Sequence, residues 1–111
     1  MNVEERLLKY VGYHTTSDEA SDKIPSSERE FALAKELESE LKELGLSKVV
    51  LTEHCYVYGW LPSNTDHEVP TVGFIAHMDT APDYSGTGVN PRVIECYDGK
   101  DITLNADVVM K

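Results

Sequence analysis

Hydrophobic residues along the chain mark two helical segments followed by several short extended ones. Near the start, apolar residues recur at helical spacing and predict a helix over residues 3–13, with Asn2 as its N-cap: Val3, Leu7, Leu8 and Val11. The stretch from His14 to Pro25 is polar and lacks periodicity, so it predicts a surface loop.

The second helix has the clearest pattern in the chain. Its apolar residues recur every three or four positions and form one stripe: Phe31, Ala34, Leu37, Leu41 and Leu44. Ser27 and Glu30 have the spacing of a capping box at its start. Gly45 predicts its end, and Leu46 is placed to contact Leu41 as in a Schellman motif.

The remaining apolar runs predict β-strands. Residues 48–53 and 56–61 are rich in β-branched and aromatic residues and predict two strands around a tight turn. Residues 71–76 predict a third strand, which is apolar on both faces and is therefore expected inside a mixed or parallel sheet covered by helices. Further short strands are expected at 92–97 and 102–104. The fold class predicted from these elements is α/β, with helices packed on an incomplete mixed sheet.

Length and charge narrow the classes of domain and partner. The 111 residues suffice for one small domain with one core, residues 1–111. The net charge of −10 argues against nucleic acid and anionic membrane surfaces as partners. No window approaches the roughly 18 apolar residues of a membrane span, and the first residues lack the layout of a signal peptide. With two cysteines, a reduced cytoplasmic setting is expected.

The sharpest chemistry follows the predicted strand 71–76, where His77 and Asp79 stand two residues apart. Ligands bind at the carboxyl ends of strands in open α/β sheets, and alternate residues of an extended chain point to the same side. A zinc-binding imidazole commonly gives its other N–H to a carboxylate. The pattern therefore fits a zinc ligand with its orienting acid, and it also fits a strand-end histidine satisfied by a nearby acid. Zinc needs about four ligands, so the others would come from elsewhere.

Other residues that could carry chemistry have plainer interpretations. The remaining histidines lack a second ligand at metal spacing and are expected at the surface: His14, His54 and His67. Cys55 and Cys96 are expected to be small buried or half-buried thiols. Residues 85–88 predict a flexible turn, because a phosphate loop would need a following lysine and a helix start. Asp83 is expected to structure its loop.

Several stretches together resemble the N-terminal pattern of the peptidase T family, tripeptide aminopeptidases among the co-catalytic zinc peptidases. The central stretch contains His77-Met-Asp-Thr80 and continues as Pro82-Asp-Tyr-Ser-Gly86. Others match in the same order: Ile24-Pro-Ser-Ser-Glu28, the helix end Glu43-Leu-Gly45, Val89-Asn-Pro91 and the segment 99–104. The His-x-Asp-Thr motif alone indicates the superfamily, and its continuation together with Asn90-Pro91 narrows the resemblance to this family.

The resemblance implies an activity and two residue roles. It implies a zinc-dependent, cytoplasmic aminopeptidase that releases the N-terminal residue from tripeptides, with two zinc ions per full-length chain. His77 matches a zinc ligand. Asp79 matches the catalytic-site acid that orients this histidine and tunes the metal. In the family, a metal-bound water attacks the peptide carbonyl and a glutamate takes its proton.

Most of the residues that the family uses have no counterpart in the chain. The bridging aspartate, the Glu-Glu pair, another acidic ligand, a late histidine and the dimerising lid domain are missing. The expectation is therefore an N-terminal portion of the catalytic domain that is inactive alone and binds zinc weakly or not at all. A homodimer is expected only for the full-length enzyme. Two alternatives stay open: another amidohydrolase of the superfamily, such as a dipeptidase or deacylase, and a non-catalytic acidic α/β module that binds a protein partner.

Overall fold

Two helices and two separate small sheets form the regular structure of the chain, which a computed structural model describes over residues 1–111. The elements are α1 (Val3–Tyr10), α2 (Glu30–Glu43), β1 (Ser47–Leu51), β2 (Val57–Trp60), β3 (Ile102–Thr103) and β4 (Val109–Met110). Antiparallel pairs join β1 to β2 and β3 to β4. The predicted α/β class is thus confirmed, whereas the predicted single mixed sheet is wrong. Neither helix combines the length and the apolar content that crossing a membrane requires.

The start of α1 is fixed by the predicted cap. The Asn2 side chain accepts the Glu5 backbone N–H at 2.8 Å, and the Glu5 carboxylate accepts the Asn2 N–H at 2.8 Å, so the two residues form a capping box. The helix ends at Tyr10, before the predicted residue 13. The backbone tightens there, because the N–H groups of Gly12 and Tyr13 bond three residues back instead of four.

The end of α2 follows the prediction and its start does not. Gly45 has φ of +84°, and the Leu46 N–H bonds the Leu41 carbonyl at 3.1 Å, which is the predicted Schellman arrangement. At the other end, the N-cap is Arg29, which makes no side-chain cap. The predicted capping box is absent because the helix begins at Glu30 with Arg29 as its N-cap, so Ser27 lies before the cap, where its hydroxyl accepts a hydrogen bond from the Arg29 side chain.

Helix α1 is joined to α2 mainly by polar groups. Glu40 is buried and accepts hydrogen bonds from the Tyr10 hydroxyl and from Lys9, the latter at 2.9 Å. Arg6 adds an ion pair to the same carboxylate at 3.4 Å, while Lys9 also bonds Glu36. One buried carboxylate is thereby surrounded by two cations and a hydroxyl. No residue of α1 is buried, so this cluster takes the place of an apolar contact.

The apolar core lies between α2 and the hairpin β1–β2. Leu33 and Ala34 of α2 are buried together with Cys55 of the hairpin turn. The predicted two strands around a tight turn are confirmed, and Cys55 takes a left-handed conformation with φ of +63° in that turn. These three are the only buried hydrophobic residues, so the core is small for a chain of this length.

Residues 71–76 do not form the strand that their sequence predicts. They pair with no other segment, and Phe74 is 95% exposed. An apolar run becomes a strand only where a neighbour accepts its backbone hydrogen bonds and covers its side chains. The strand predicted at 92–97 is absent for the same reason, and the one predicted at 102–104 survives as β3, paired with β4.

The chain exposes far more surface than a compact domain of its mass. Its accessible surface is 9207 Å², against about 6,100 Å² expected from the scaling of folded monomers. Its radius of gyration is 17.7 Å, against about 13 Å for a compact chain of this length. The apolar segments therefore find too few partners among these 111 residues.

Removing the Glu40 carboxylate tests the polar contact between the helices. We expect Glu40→Ala to lower the free energy of unfolding by about 1–3 kcal/mol, because Tyr10 and Lys9 lose a largely buried acceptor. Urea unfolding followed by circular dichroism measures the change. Glu38→Ala is the control, since Glu38 pairs with Lys42 on the exposed side of the same helix and should cost no more than about 0.5 kcal/mol. Equal losses in the two variants would contradict this account of Glu40.

The same cluster predicts a pH dependence. The Tyr10 hydroxyl first, and then Lys9, hold the pKa of Glu40 below its ordinary value of 4.5. A carboxylate with a lowered pKa in the folded state stabilises that state above its ordinary pKa, and this stabilisation is lost as the pH falls through the lower value. The difference in the free energy of unfolding between wild type and Glu40→Ala should therefore reach its full size at pH 7 and shrink below about pH 4.

The exposed apolar run predicts self-association. Exposed, unpaired apolar segments favour contacts between copies, so light scattering should give a mass above 12.4 kDa at high concentration. The double variant Phe74→Ser/Ile75→Ser should lower that mass, because both side chains face solvent in the single chain. The exposed Glu68→Ser is the control. A monomer at every concentration would contradict the prediction.

Candidate functional site

The His77 imidazole is oriented by Asp79. Its Nδ1 lies 2.8 Å from the backbone oxygen of Asp79 and 3.1 Å from the Oδ1 of the same residue. A carbonyl oxygen can only accept a hydrogen bond, so Nδ1 carries the proton and Nε2 bears the lone pair in the neutral ring. The structure thus brings together the two residues that the sequence selected. Their roles as metal ligand and catalytic acid stay predictions.

Accessibility and ligand number decide what this pair can do alone. The His77 side chain is 85% exposed and that of Asp79 is 43% exposed, so Nε2 is open to a ligand. No group of three or more His, Cys, Asp or Glu side chains is placed to hold a metal ion. Since zinc needs about four ligands, His77 and Asp79 by themselves are too few to form a closed metal centre.

A loop near the start of the chain, not a sheet, holds the segment after His77. Thr80 pairs with Thr16 in an isolated parallel bridge. The Thr80 N–H donates to the Thr15 carbonyl at 3.1 Å, and the Ser17 N–H donates to the Thr80 carbonyl at 3.0 Å. Thr15 and Thr16 are buried, so the prediction of a surface loop from His14 onward is wrong at these two residues. No periodicity distinguishes them, which is why sequence reasoning missed them.

An apolar cavity of about 420 Å³ opens beside His77. The end of α1 and the turn after it, helix α2, the neighbours of His77 and the loop at residues 86–89 line it, and its apolar residues include Val11, Leu33, Leu37, Ala76, Met78 and Val89. His77 itself and Thr80 lie on its wall. The imidazole therefore stands at a boundary between solvent and a space suited to apolar groups.

His14 connects the loop that holds Thr80 with the turn at residues 85–88. The Arg29 guanidinium lies 3.1 Å from its Nε2 and can only donate, so Nε2 accepts. The other nitrogen, Nδ1, lies 3.2 Å from the Thr87 hydroxyl. His54 and His67 are exposed as predicted, and His14 is half-buried at the surface. Sequence spacing offers no signal for this long-range cluster.

The two cysteines and Asp83 differ in how well they match expectation. Cys55 is buried, as predicted, and burial raises the pKa of its thiol. Cys96 is exposed, so the prediction of a buried or half-buried thiol is wrong there. Asp83 is exposed and makes no side-chain hydrogen bond, while the Ser85 hydroxyl accepts the Thr87 N–H at 3.2 Å and forms the turn.

Glu30 is a buried acid close to this site that sequence reasoning assigned only to helix capping. Burial raises its pKa above the ordinary 4.5, and the negative charge of the nearby Asp79 raises it further. The Ser26 hydroxyl, which donates to the Glu30 carboxylate at 3.3 Å, opposes this shift. Unlike Glu40, Glu30 is therefore held in a setting that disfavours its charge.

Relatives of the chain share one name. No protein-family model matches it. A protein named Peptidase T from Caldanaerobacter subterraneus subsp. tengcongensis is 58% identical over 105 residues, which is 95% of this chain and 26% of the relative. Peptidase T from Halothermothrix orenii is 56% identical over 93% of the chain and 25% of the relative. Peptidase T from Fusobacterium nucleatum is 50% identical over 98% of this chain and 27% of the relative. The chain thus spans about a quarter of the length of the curated relatives that it matches.

The raised pKa of Glu30 predicts a variant that is more stable than wild type. An acid whose pKa is raised in the folded state costs stability once the pH exceeds its ordinary value. Glu30→Gln removes the charge and keeps an acceptor for Ser26, so it should raise the urea midpoint at pH 7 and change it little near pH 4. The exposed Glu28→Gln is the control. A lower midpoint for Glu30→Gln at pH 7 would show that the charge stabilises the fold.

Proposed function

Because the chain is homologous to peptidase T over about a quarter of that protein's length, we propose that it is part of the catalytic domain of a zinc-dependent aminopeptidase. The substrate is a tripeptide, from which the enzyme releases the N-terminal residue in the cytoplasm. The observation that carries the proposal is the His77–Asp79 pair, in which Nδ1 is bound and Nε2 is exposed. The curated name shared by the reported relatives favours this activity over that of a dipeptidase or deacylase.

In this proposal, His77 and Asp79 prepare one ligand for a metal. Asp79 holds the proton on Nδ1 through its backbone oxygen and carboxylate, which leaves the lone pair on Nε2 directed outward. Zinc, when bound, polarises the substrate carbonyl and activates water. The chain's own contribution is thus the orientation and tautomer of the imidazole.

The remaining parts of the site come from outside these 111 residues. No group of three or more His, Cys, Asp or Glu side chains in these residues is placed to hold a metal ion. The 111-residue chain alone therefore binds zinc weakly or not at all and does not hydrolyse tripeptides. The other metal ligands, the catalytic glutamate and a dimerising lid belong to the full-length enzyme, which forms a homodimer through that lid.

A chimera tests the proposal. Residues 1–111 replace the matching quarter of the Caldanaerobacter peptidase T, and zinc content and tripeptide hydrolysis are measured. We expect about two zinc ions per chain and release of the N-terminal residue. His77→Ala should remove at least one zinc ion and abolish turnover. Asp79→Asn should weaken metal affinity or activity about 10–100-fold, because it disturbs the group that orients the ligand.

Two controls complete the experiment. His67→Ala changes an exposed histidine ten residues before His77 that makes no side-chain hydrogen bond, and it should leave zinc content and turnover unchanged. The 111-residue chain by itself should show no turnover. A His77→Ala chimera with full zinc content and activity would overturn the role of His77, and tripeptide hydrolysis by the 111-residue chain would overturn the need for further ligands.

A further inference from the structure

A single peptide unit connects the bridge at Thr80 with the imidazole of His77. The Asp79 carbonyl and the Thr80 N–H belong to the same planar amide. On one side of this amide, the carbonyl accepts the His77 Nδ1–H at 2.8 Å. On the other, the N–H donates to the Thr15 carbonyl at 3.1 Å. Because the amide is rigid, whatever holds the Thr80 N–H also sets the direction of the oxygen that orients His77.

The Thr16 hydroxyl contacts the side chain of Thr80, the residue that supplies the N–H of this amide. Thr16 is only 9% exposed. Its Oγ1 lies 3.4 Å from the Thr80 hydroxyl and 3.2 Å from the Gly86 N–H. It therefore accepts from the residue next to Asp79 and from the loop that returns over the site. Removal of this oxygen would leave the Gly86 N–H without its acceptor and free the Thr80 side chain.

The absence of a side chain at residue 86 makes this contact possible. A Cβ atom on Gly86 would stand 2.5 Å from the Thr16 Oγ1, closer than Cβ atoms approach other atoms in real structures. The Gly86 backbone can reach the Thr16 hydroxyl only because nothing lies between them. Ser17 closes the bridge from the other side, since its hydroxyl donates to the Thr80 carbonyl at 3.2 Å.

From these contacts we infer that Thr16 is a positioning residue for His77: its hydroxyl holds Thr80 and Gly86, and the Asp79–Thr80 amide transmits that constraint to the tautomer of the imidazole. Hydrogen bonds in such a chain polarise and orient one another. The inference deepens the proposed function, on which it rests for the task of His77. Thr16 lies 61 positions before His77 in the chain, and by this inference its hydroxyl keeps the Nε2 of that histidine free of a proton.

The tautomer of His77 can be measured without metal or substrate. In the 111-residue chain labelled with ¹⁵N-histidine, two-bond ¹H–¹⁵N correlations give the ratio of the Nδ1–H to the Nε2–H form. The spectrum is recorded at the alkaline end of a pH series, where the ring chemical shifts no longer change with pH, so that only the two neutral forms are compared. We expect the Nδ1–H form to dominate in the wild type.

Threonine variants separate the hydroxyl from the rest of the side chain. Thr16→Val keeps the shape of the side chain and loses the hydroxyl. It should lower the ratio of the Nδ1–H to the Nε2–H form about fivefold, which is the change in an equilibrium constant that one ordinary hydrogen bond gives. Thr16→Ser keeps the hydroxyl and should retain the wild-type ratio. Thr52→Val is the matched control, because the Thr52 hydroxyl accepts one backbone N–H, that of Tyr56, in the hairpin turn. It should leave the ratio unchanged.

Defined outcomes overturn the inference. A ratio in Thr16→Val that stays within about twofold of the wild type, or an equal loss in Thr16→Ser, rules out the hydroxyl as the positioning group. If Thr16→Val loses the amide-exchange protection of α2, Gly86→Ala replaces it. That variant displaces the Thr16 hydroxyl without removing any side-chain group and should produce the same fall, and an unchanged ratio overturns the inference. A chimera without activity would sink the proposed function and leave this result standing.

Discussion

The hydrogen bonds between residues 15–17 and Thr80 are the interaction on which the site depends. They join segments 64 residues apart, and the single parallel bridge of the structure lies between them. The run before His77 has no strand partner, so this bridge supplies the order that a sheet would otherwise provide. Its position directly after Asp79 explains how an exposed imidazole can still be well oriented.

Two buried carboxylates on α2 show how neighbours decide the role of the same side chain. Glu40 is surrounded by Arg6, Lys9 and the Tyr10 hydroxyl, which favour its charge and fasten α1 to α2. Burial first, and then the negative charge of Asp79, raise the pKa of Glu30 against the opposing hydrogen bonds from Ser26 and Ser27, so its charge is disfavoured. Glu40 thus stabilises the fold. Glu30 has a raised pKa beside the candidate site, and acids with shifted pKa values often occur at functional sites.

The exposed apolar segments are consistent with a chain that spans about a quarter of its relatives. Local elements form where their partners are close in sequence: α1, α2 and the hairpin β1–β2. The run at 71–76 has the composition of an interior strand, yet nothing in these residues covers it. Burial of an apolar face needs a second surface. The sequence pattern of this run therefore favours a strand, but no segment of the chain pairs with it or covers it.

Sequence alone determined the features whose causes are local. The periodicity of α2, the Gly45 terminus and the tendency of 48–61 to form a hairpin depend on neighbouring residues, and His77-x-Asp79 converge because alternate positions of an extended chain share a side. Tertiary structure decided the rest. It replaced the expected strand support of His77 with the Thr15–Ser17 bridge, buried Thr16 against Gly86 and brought Glu30 near Asp79. These contacts link residues far apart in the chain, and no spacing rule encodes a hydrogen bond whose two partners meet only after the backbone has folded.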